Sequence, residues 1–213
     1  MKTAFLLLFF QFVFYTAFTQ QVAIGADKNN VFYAGIDNPL TITAENCPCK
    51  SLVVKVDNGK INGSGCKLAY NGNTPGIATI TVYQRTADKL KKLGSNNFMV
   101  KLIPPPSFKI GPYGSSRRAQ KALIAGQSAV RANLNGFFGY DVMFTIDSFR
   151  VSILLKDSCK TKTYFNKTNT INDELRAAFS VLAAGDIIIF DKIFARGPGG
   201  SIELDPLVLM IEN

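Results

Sequence analysis

Four cysteines, a few spaced carboxylates and several basic clusters are the residues of this 213-residue chain whose chemistry has to be weighed first. Histidine and tryptophan are both absent. Without an imidazole, neither a Ser-His-Asp or Cys-His nucleophile nor an imidazole-bound zinc can be assembled from these residues. That excludes the commonest hydrolase mechanisms. The cysteines are Cys47, Cys49, Cys66 and Cys159. Cys47-Pro48-Cys49 offers two thiolates, but one further cysteine nearby leaves the set short of a closed tetrahedron, so no metal is expected. Residues this close cannot bridge each other without strain. The expected disulfide joins Cys49 to Cys66, because Asn58-Gly59 lies near the midpoint between them and would lay their strands side by side. Cys47 with Cys66 is the alternative pairing.

The carboxylates offer little more. Asp186 and Asp191 stand five apart and would face opposite sides of a strand, which argues against a shared general acid and base. Asp173-Glu174 reads as negative charge at a helix N-terminus. The chain is therefore expected to be a non-enzyme with no cofactor. Lys plus Arg is 24 against 15 acidic residues, a net +9 that attracts anions at long range. The excess is spread out, and clusters such as Lys89-Leu90-Lys91-Lys92 and Arg117-Arg118-Ala119-Gln120-Lys121 lack the interleaved aromatics that stack on bases. They read as solvated faces, and no nucleic-acid partner is expected.

The elements that would carry these residues begin after Met1-Lys2 and the fifteen-residue run Ala4 to Phe18, in which Gln11 alone is strongly polar. With the small residues around Ala17 and Thr19, residues 1–19 read as a signal peptide, so the mature chain is expected to be exported and soluble. An uncleaved membrane anchor is the competing reading. Export is also what lets disulfides persist.

From 20 to 103, short alternating runs are separated by turn residues, the period of half-buried strands. Leu40 to Ala44, Leu52 to Val56, Ala78 to Tyr83 and Phe98 to Leu102 are the clearest, with Ala78, Ile80 and Val82 on one face. Asn58-Gly59 signals a hairpin. Six or seven strands without a helix predict an immunoglobulin-like β-sandwich. Pro104-Pro105-Pro106 then stops strand pairing and makes a stiff linker at 104–106.

Residues 107–213 predict a second, β-rich and sandwich-like domain with one or two helices, so the fold class is mainly β with two tandem β domains. Ser116 is expected to cap a helix reaching Ala125, with Ala119, Ala122 and Leu123 inward. Tyr140 to Ile146 and Arg150 to Leu155 read as two strands. Thr170-Ile171-Asn172-Asp173 has capping-box order, and Leu175, Ala178, Phe179 and Leu182 follow at helical spacing, with Gly185 as the stop. Ile187-Ile188-Ile189-Phe190 is a continuous apolar run, expected to be a strand covered on both faces. Gly197-Pro198-Gly199-Gly200 turns into a last strand through Val208, Leu209 and Ile211.

Several of these stretches resemble one known family. The segment from Asn30 through Tyr33, Gly35, Asp37, Asn38 and Pro39 resembles the opening of the third periplasmic domain of GldM, of the gliding-motility and type IX secretion apparatus of Bacteroidetes. Phe98 to Pro106, including Pro104, looks like that family's inter-domain junction. Phe144 to Phe149, and Gly185-Asp186 through Arg196-Gly197-Pro198-Gly199-Gly200, are similar to its C-terminal strands. The likeness spans residues 22 to 213. It implies two consecutive β domains of an elongated periplasmic dimer, with no enzymatic activity. It leaves out the family's membrane anchor and first two periplasmic domains, so coupling to a motor is not carried over.

The resulting expectation is a non-enzymatic interaction or scaffold protein that docks on envelope, secretion or outer-membrane components through sheet edges and loops, with a homodimer compatible. Periplasm is the expected location, with cell surface and secretion as alternatives. Phe137, Phe138 and Tyr140, beside Gly136 and Gly139, are the candidate contact aromatics, a buried strand entry being the other reading. The alternative function is a secreted adhesin or carbohydrate-binding sandwich.

Overall fold

The computed structural model describes residues 22–212 apart from 88, 135, 137, 138 and 159. The expected signal segment, Cys159, Phe137 and Phe138 therefore lie outside the described residues. No described helix is long and apolar enough to cross a membrane. The chain divides into two compact units, Met1–Tyr33 with Asp37–Lys101, and Ala34–Ile36 with Leu102–Asn213.

The described residues of the first unit form eight strands: β1 (Val22–Ala26), β2 (Val31–Tyr33), β3 (Asn38–Ala44), β4 (Leu52–Val56), β5 (Lys60–Ser64), β6 (Lys67–Asn71), β7 (Gly76–Thr86) and β8 (Lys89–Lys101). They form two four-stranded sheets, β1-β3-β6-β5 and β2-β8-β7-β4, with β2 parallel to β8 and every other pairing antiparallel. In immunoglobulin terms these are the ABED sheet and the sheet of C, F and G with an added short strand. Strand period then places the core. Ala78, Ile80 and Val82 are fully buried, as the alternation requires. Phe32 of β2 lies between Tyr70 of β6 and Phe98 of β8, its ring centroid 4.5 Å from each, and so joins the two sheets. A short 3-10 turn at Cys49–Ser51 interrupts a unit expected to be free of helix.

The Asn58-Gly59 hairpin is corrected. β4 pairs with β7, whereas β5 pairs with β6, so this turn carries the chain from one sheet to the other. Tertiary hydrogen bonds decide it: Asn58 Nδ2 donates to the Thr74 carbonyl at 3.0 Å, and the Asp57 carboxylate accepts from the Thr79 amide at 2.7 Å. Gly59 is still required, since its φ is +95° and a Cβ there would lie 2.6 Å from the Asn71 carbonyl oxygen.

The second unit comprises β9 (Ser107–Ile110), β10 (Arg118–Gln120), α1 (Lys121–Ala125), β11 (Val130–Asn133), β12 (Thr145–Leu154), β13 (Thr161–Asn166), α2 (Asp173–Ser180), β14 (Ile187–Gly197), β15 (Gly200–Leu204) and β16 (Leu207–Glu212). Its main sheet runs β10-β16-β14-β12-β13 with β15 on β14, and β9 pairs with β11 separately. Val151, Ile153, Ile188, Phe190 and Leu209 share one core with Leu175 and Phe179 of α2, Ile124 of α1 and Phe108 of β9. Phe190 packs 5.2 Å from Phe108 and 6.3 Å from Phe179, centroid to centroid.

Five expectations change here. The helix from Ser116 begins only at Lys121, because Arg118–Gln120 pair in parallel with Met210–Glu212; Ala119 is buried as a strand residue, while Ala122 and Leu123 are exposed. Tyr140–Phe144 is not strand, and the two strands read on either side of Ser148 are one, β12, kept continuous across two register shifts. The last strand is preceded by another, since the turn after Gly197 first returns as β15. Asn172, rather than Thr170, caps α2: its side chain accepts from the Leu175 amide at 2.8 Å. Gly185 has φ +94° but lies beyond the helix end at Ser180, in the loop before β14.

A candidate docking face on the C-terminal sheet

The apolar run Ile187-Ile188-Ile189-Phe190 forms the start of β14, at the centre of the main sheet. Ile188 and Phe190 point into the core, so Ile187 and Ile189 must point out of the opposite face. The expected double cover is absent on this side, where both are half-buried. Register places their neighbours. Ile187 is flanked by Leu154 and Met210, and Ile189 by Ser152 and Val208. One step further along, Arg150 stands between Asp191 and Phe165. Phe165 is 71%, Val208 48% and Leu154 36% exposed. A sheet that faces water on one side ordinarily alternates apolar-in with polar-out. Here two adjacent strands break that rule, with Ile187 and Ile189 of β14 beside Met210 and Val208 of β16, and Leu154 and Phe165 extend the patch past the polar Ser152 and Thr163.

The charges on this face are internally matched. Arg150 Nε donates to Asp191 Oδ1 at 2.7 Å and Nη2 to Oδ2 at 2.5 Å. These bonds hold the Asp191 carboxyl below the ordinary carboxylate range and raise the Arg150 guanidinium. At the β10 edge Arg118 pairs with Glu212 at 2.7 Å. Beside that edge a groove of about 410 Å³ is lined by Ser116, Arg117, Ile187, Val208 and Met210 among others. The face thus holds an apolar patch around Ile187, Ile189, Val208 and Met210, bordered by matched charges and grooved at one side, properties that suit protein contact better than chemistry.

The residues singled out from the sequence are placed elsewhere. Asp186 is buried and its carboxylate accepts from the Lys156 amide at 2.9 Å and the Ala183 amide at 2.8 Å, which fixes the loop entering β14. With Asp191 engaged by Arg150, the two carboxylates do not converge. Among the described residues no three His, Cys, Asp or Glu side chains gather to hold a metal ion. Tyr140 is half-buried, and the two aromatics expected beside it lie outside the described residues.

The Tyr33–Pro39 segment is a closed turn. Asn38 is fully buried; its side-chain oxygen accepts from the Tyr33 amide at 2.8 Å, and its nitrogen donates to the carbonyls of Tyr33 at 2.9 Å and Tyr70 at 3.3 Å. Gly35 has φ +81° at the bend. The exposed Asp37 accepts from Asn71 at 2.7 Å, and the Pro39 carbonyl accepts from the Asp27 amide at 3.0 Å. Pro104 is exposed, and Gly197 ends β14 where the Phe144 ring leaves no room for a Cβ. Cys49 and Cys66 are joined, with Cα atoms 5.0 Å apart, but not along a β4–β5 ladder: the bond ties the start of one sheet's edge strand to the end of the other's. Cys47 is a free, partly exposed thiol.

The docking face escaped the sequence reading because Phe165, Leu154, Val208 and Met210 come from three separate strands. Its one visible trace was the unbroken apolar run at Ile187. The chain matches the family described as GldM third domain over residues 21–101 and the family described as GldM C-terminal domain over residues 104–212. No curated protein matches it.

Proposed function

This chain belongs to the GldM family, and from that premise we propose that it is a non-enzymatic docking module of the cell envelope whose C-terminal sheet face receives a protein partner. It is a gliding-motility and type IX secretion-related protein that resides outside the cytoplasm, where a disulfide persists. Within that setting the proposed compartment is the periplasm, and the proposed partners are secretion or outer-membrane components that present an apolar surface. Pro104–Pro106 would serve as the stiff spacer between the two domains.

The carrying observation is the open side of β14. A strand whose outward and inward positions are both isoleucine needs cover on both faces, and among the described residues the packed core covers one face while Ile187 and Ile189 on the other stay half-buried. Leaving Ile187, Ile189, Val208 and Phe165 against water is costly, at about 25 cal/mol per Å² of apolar surface. A partner removes that cost.

The test is capture from solubilised envelope fractions with Val208→Glu, which places a charge at the centre of the face where the side chain is already solvent-exposed. Urea unfolding should be unchanged within about 0.5 kcal/mol, as expected for an exposed site. Loss of the partner retained by the wild-type chain supports the proposal. Capture of the same partner, in equal amount, by both proteins overturns it.

A further inference from the structure

The immunoglobulin-like unit carries an opening of a different kind. β4 ends one sheet and β5 ends the other, so each leaves one row of backbone amides and carbonyls outside the ladders. Between these edges lies a cleft of about 580 Å³ whose apolar lining is Leu52, Val53, Val54, Ile61 and Leu68. Lys50 and Arg85 are its charged lining residues, and no carboxylate lines it. Among the described residues neither cation forms an ion pair. The β5 side presents Gly63, Ser64 and Gly65, which leave little side chain in the way of an approaching backbone.

The disulfide bears directly on this cleft. Cys49 opens the 3-10 turn that leads into the strand on one side and Cys66 follows the strand on the other, so their bond holds the two edges at a fixed spacing at one end. Gly65 abuts it, since a Cβ there would stand 3.5 Å from Cys49 Cβ. An opening held in this way is pre-organised, which lowers the ordering cost of binding.

We propose that this cleft captures an extended acidic segment of a partner protein, added as a strand to the free edge of β4. Backbone hydrogen bonds to Leu52–Val56 supply affinity. Alternate apolar side chains enter between Val54 and Ile61, and the outward carboxylates meet Lys50 and Arg85. Charge complementarity selects the occupant: two cations with no ion-pair partner among the described residues, in a cleft lined by no carboxylate, on a chain of net charge +9 that steers anions toward it.

The experiment uses the full exported chain and a capped fluorescent peptide of alternating Val and Glu, about eight residues long. Binding should slow amide hydrogen exchange at Leu52–Val56 and weaken with added salt. Lys50→Glu with Arg85→Glu should lower affinity roughly tenfold or more without moving the melting temperature. Val208→Glu should leave peptide binding unchanged, so failure here is separable from failure of the C-terminal docking face. The proposal is overturned if an alternating Val and Lys peptide binds equally well, if protection appears elsewhere, or if the charge reversals change nothing. It is equally overturned if vesicles containing phosphatidylglycerol bind through Lys50 and Arg85 while the peptide does not.

Discussion

Arg150 on β12 and Asp191 on β14 stand directly opposite in the central ladder of the C-terminal sheet, joined by two hydrogen bonds of 2.7 and 2.5 Å. The pair puts its charges beside the apolar patch of Ile187, Ile189, Val208 and Met210 and cancels them there. A lone Asp191 would make that face repel an apolar partner, and a lone Arg150 would do the same.

The pair predicts a pH dependence. The hydrogen bonds from Arg150 lower the Asp191 pKa, against a smaller opposing effect of burial. A carboxyl depressed on folding contributes stability above its unfolded pKa, about 3.9, and that contribution is lost as pH falls through the lower folded value. Asp191→Asn should therefore lower the unfolding free energy near neutral pH by no more than about 1 kcal/mol, the pair being partly solvated. The difference from wild type should shrink as pH is taken below about 4. Thermal unfolding of both proteins across that range is the measurement, and a gap that widens on acidification would refute the assignment.

The Cys49–Cys66 bond closes a loop with a sequence separation of 17. Chain-entropy arguments put the stabilisation from such a loop at about 3 kcal/mol. Urea unfolding of Cys49→Ser with Cys66→Ser, made with Cys47→Ala to prevent exchange, should show a loss of that order against Cys47→Ala alone. A loss below about 1 kcal/mol would mean that the sheet edges are held by packing and not by the crosslink.

Asn38 tests the turn that opens the first unit. Its side chain satisfies the Tyr33 amide and the carbonyls of Tyr33 and Tyr70 in a fully buried position. Asn38→Ala removes these three hydrogen bonds from a fully buried position and should cost about 2–4 kcal/mol. Asn38→Asp retains the acceptor and loses the donor, so at neutral pH it should be at least as damaging, because it also buries a charge. Chemical denaturation ranks the two.

What could be read from the chain follows from what is local. Strand period exposed the inward set Ala78, Ile80 and Val82, because burial on one face of a strand writes itself into every second residue. The cap of α2 was visible to within two residues for the same reason. Pairing was not local. Arg118–Gln120 looked helical because the strand that claims it, ending at Glu212, lies 94 residues away from Arg118. Asn58-Gly59 kept its turn but not its hairpin, since Thr79 of β7 and Thr74 just ahead of that strand bind Asp57 and Asn58. The docking face is the extreme case: its members are assembled by register alone, and only Ile187 and Ile189 betrayed it.

Tyr70 supplies the last prediction. Its ring is fully buried and stacks on Phe32 at 4.5 Å, yet its hydroxyl is buried without a hydrogen-bond partner among the described residues. Gly72 stands so close that a Cβ there would collide with that hydroxyl. Burial, with a smaller contribution from the Asp57 charge, raises the phenol pKa above its ordinary value. Tyr70→Phe keeps the stacked ring while removing an uncompensated polar group, so it should stabilise the first unit by about 1 kcal/mol where most core changes destabilise. Denaturation midpoints decide the sign, and ultraviolet titration of the wild-type chain should show a tyrosine ionising above the ordinary phenol range, absent from the variant. Destabilisation by Tyr70→Phe would mean that the hydroxyl is satisfied in solution and that the packing around Gly72 is organised by it.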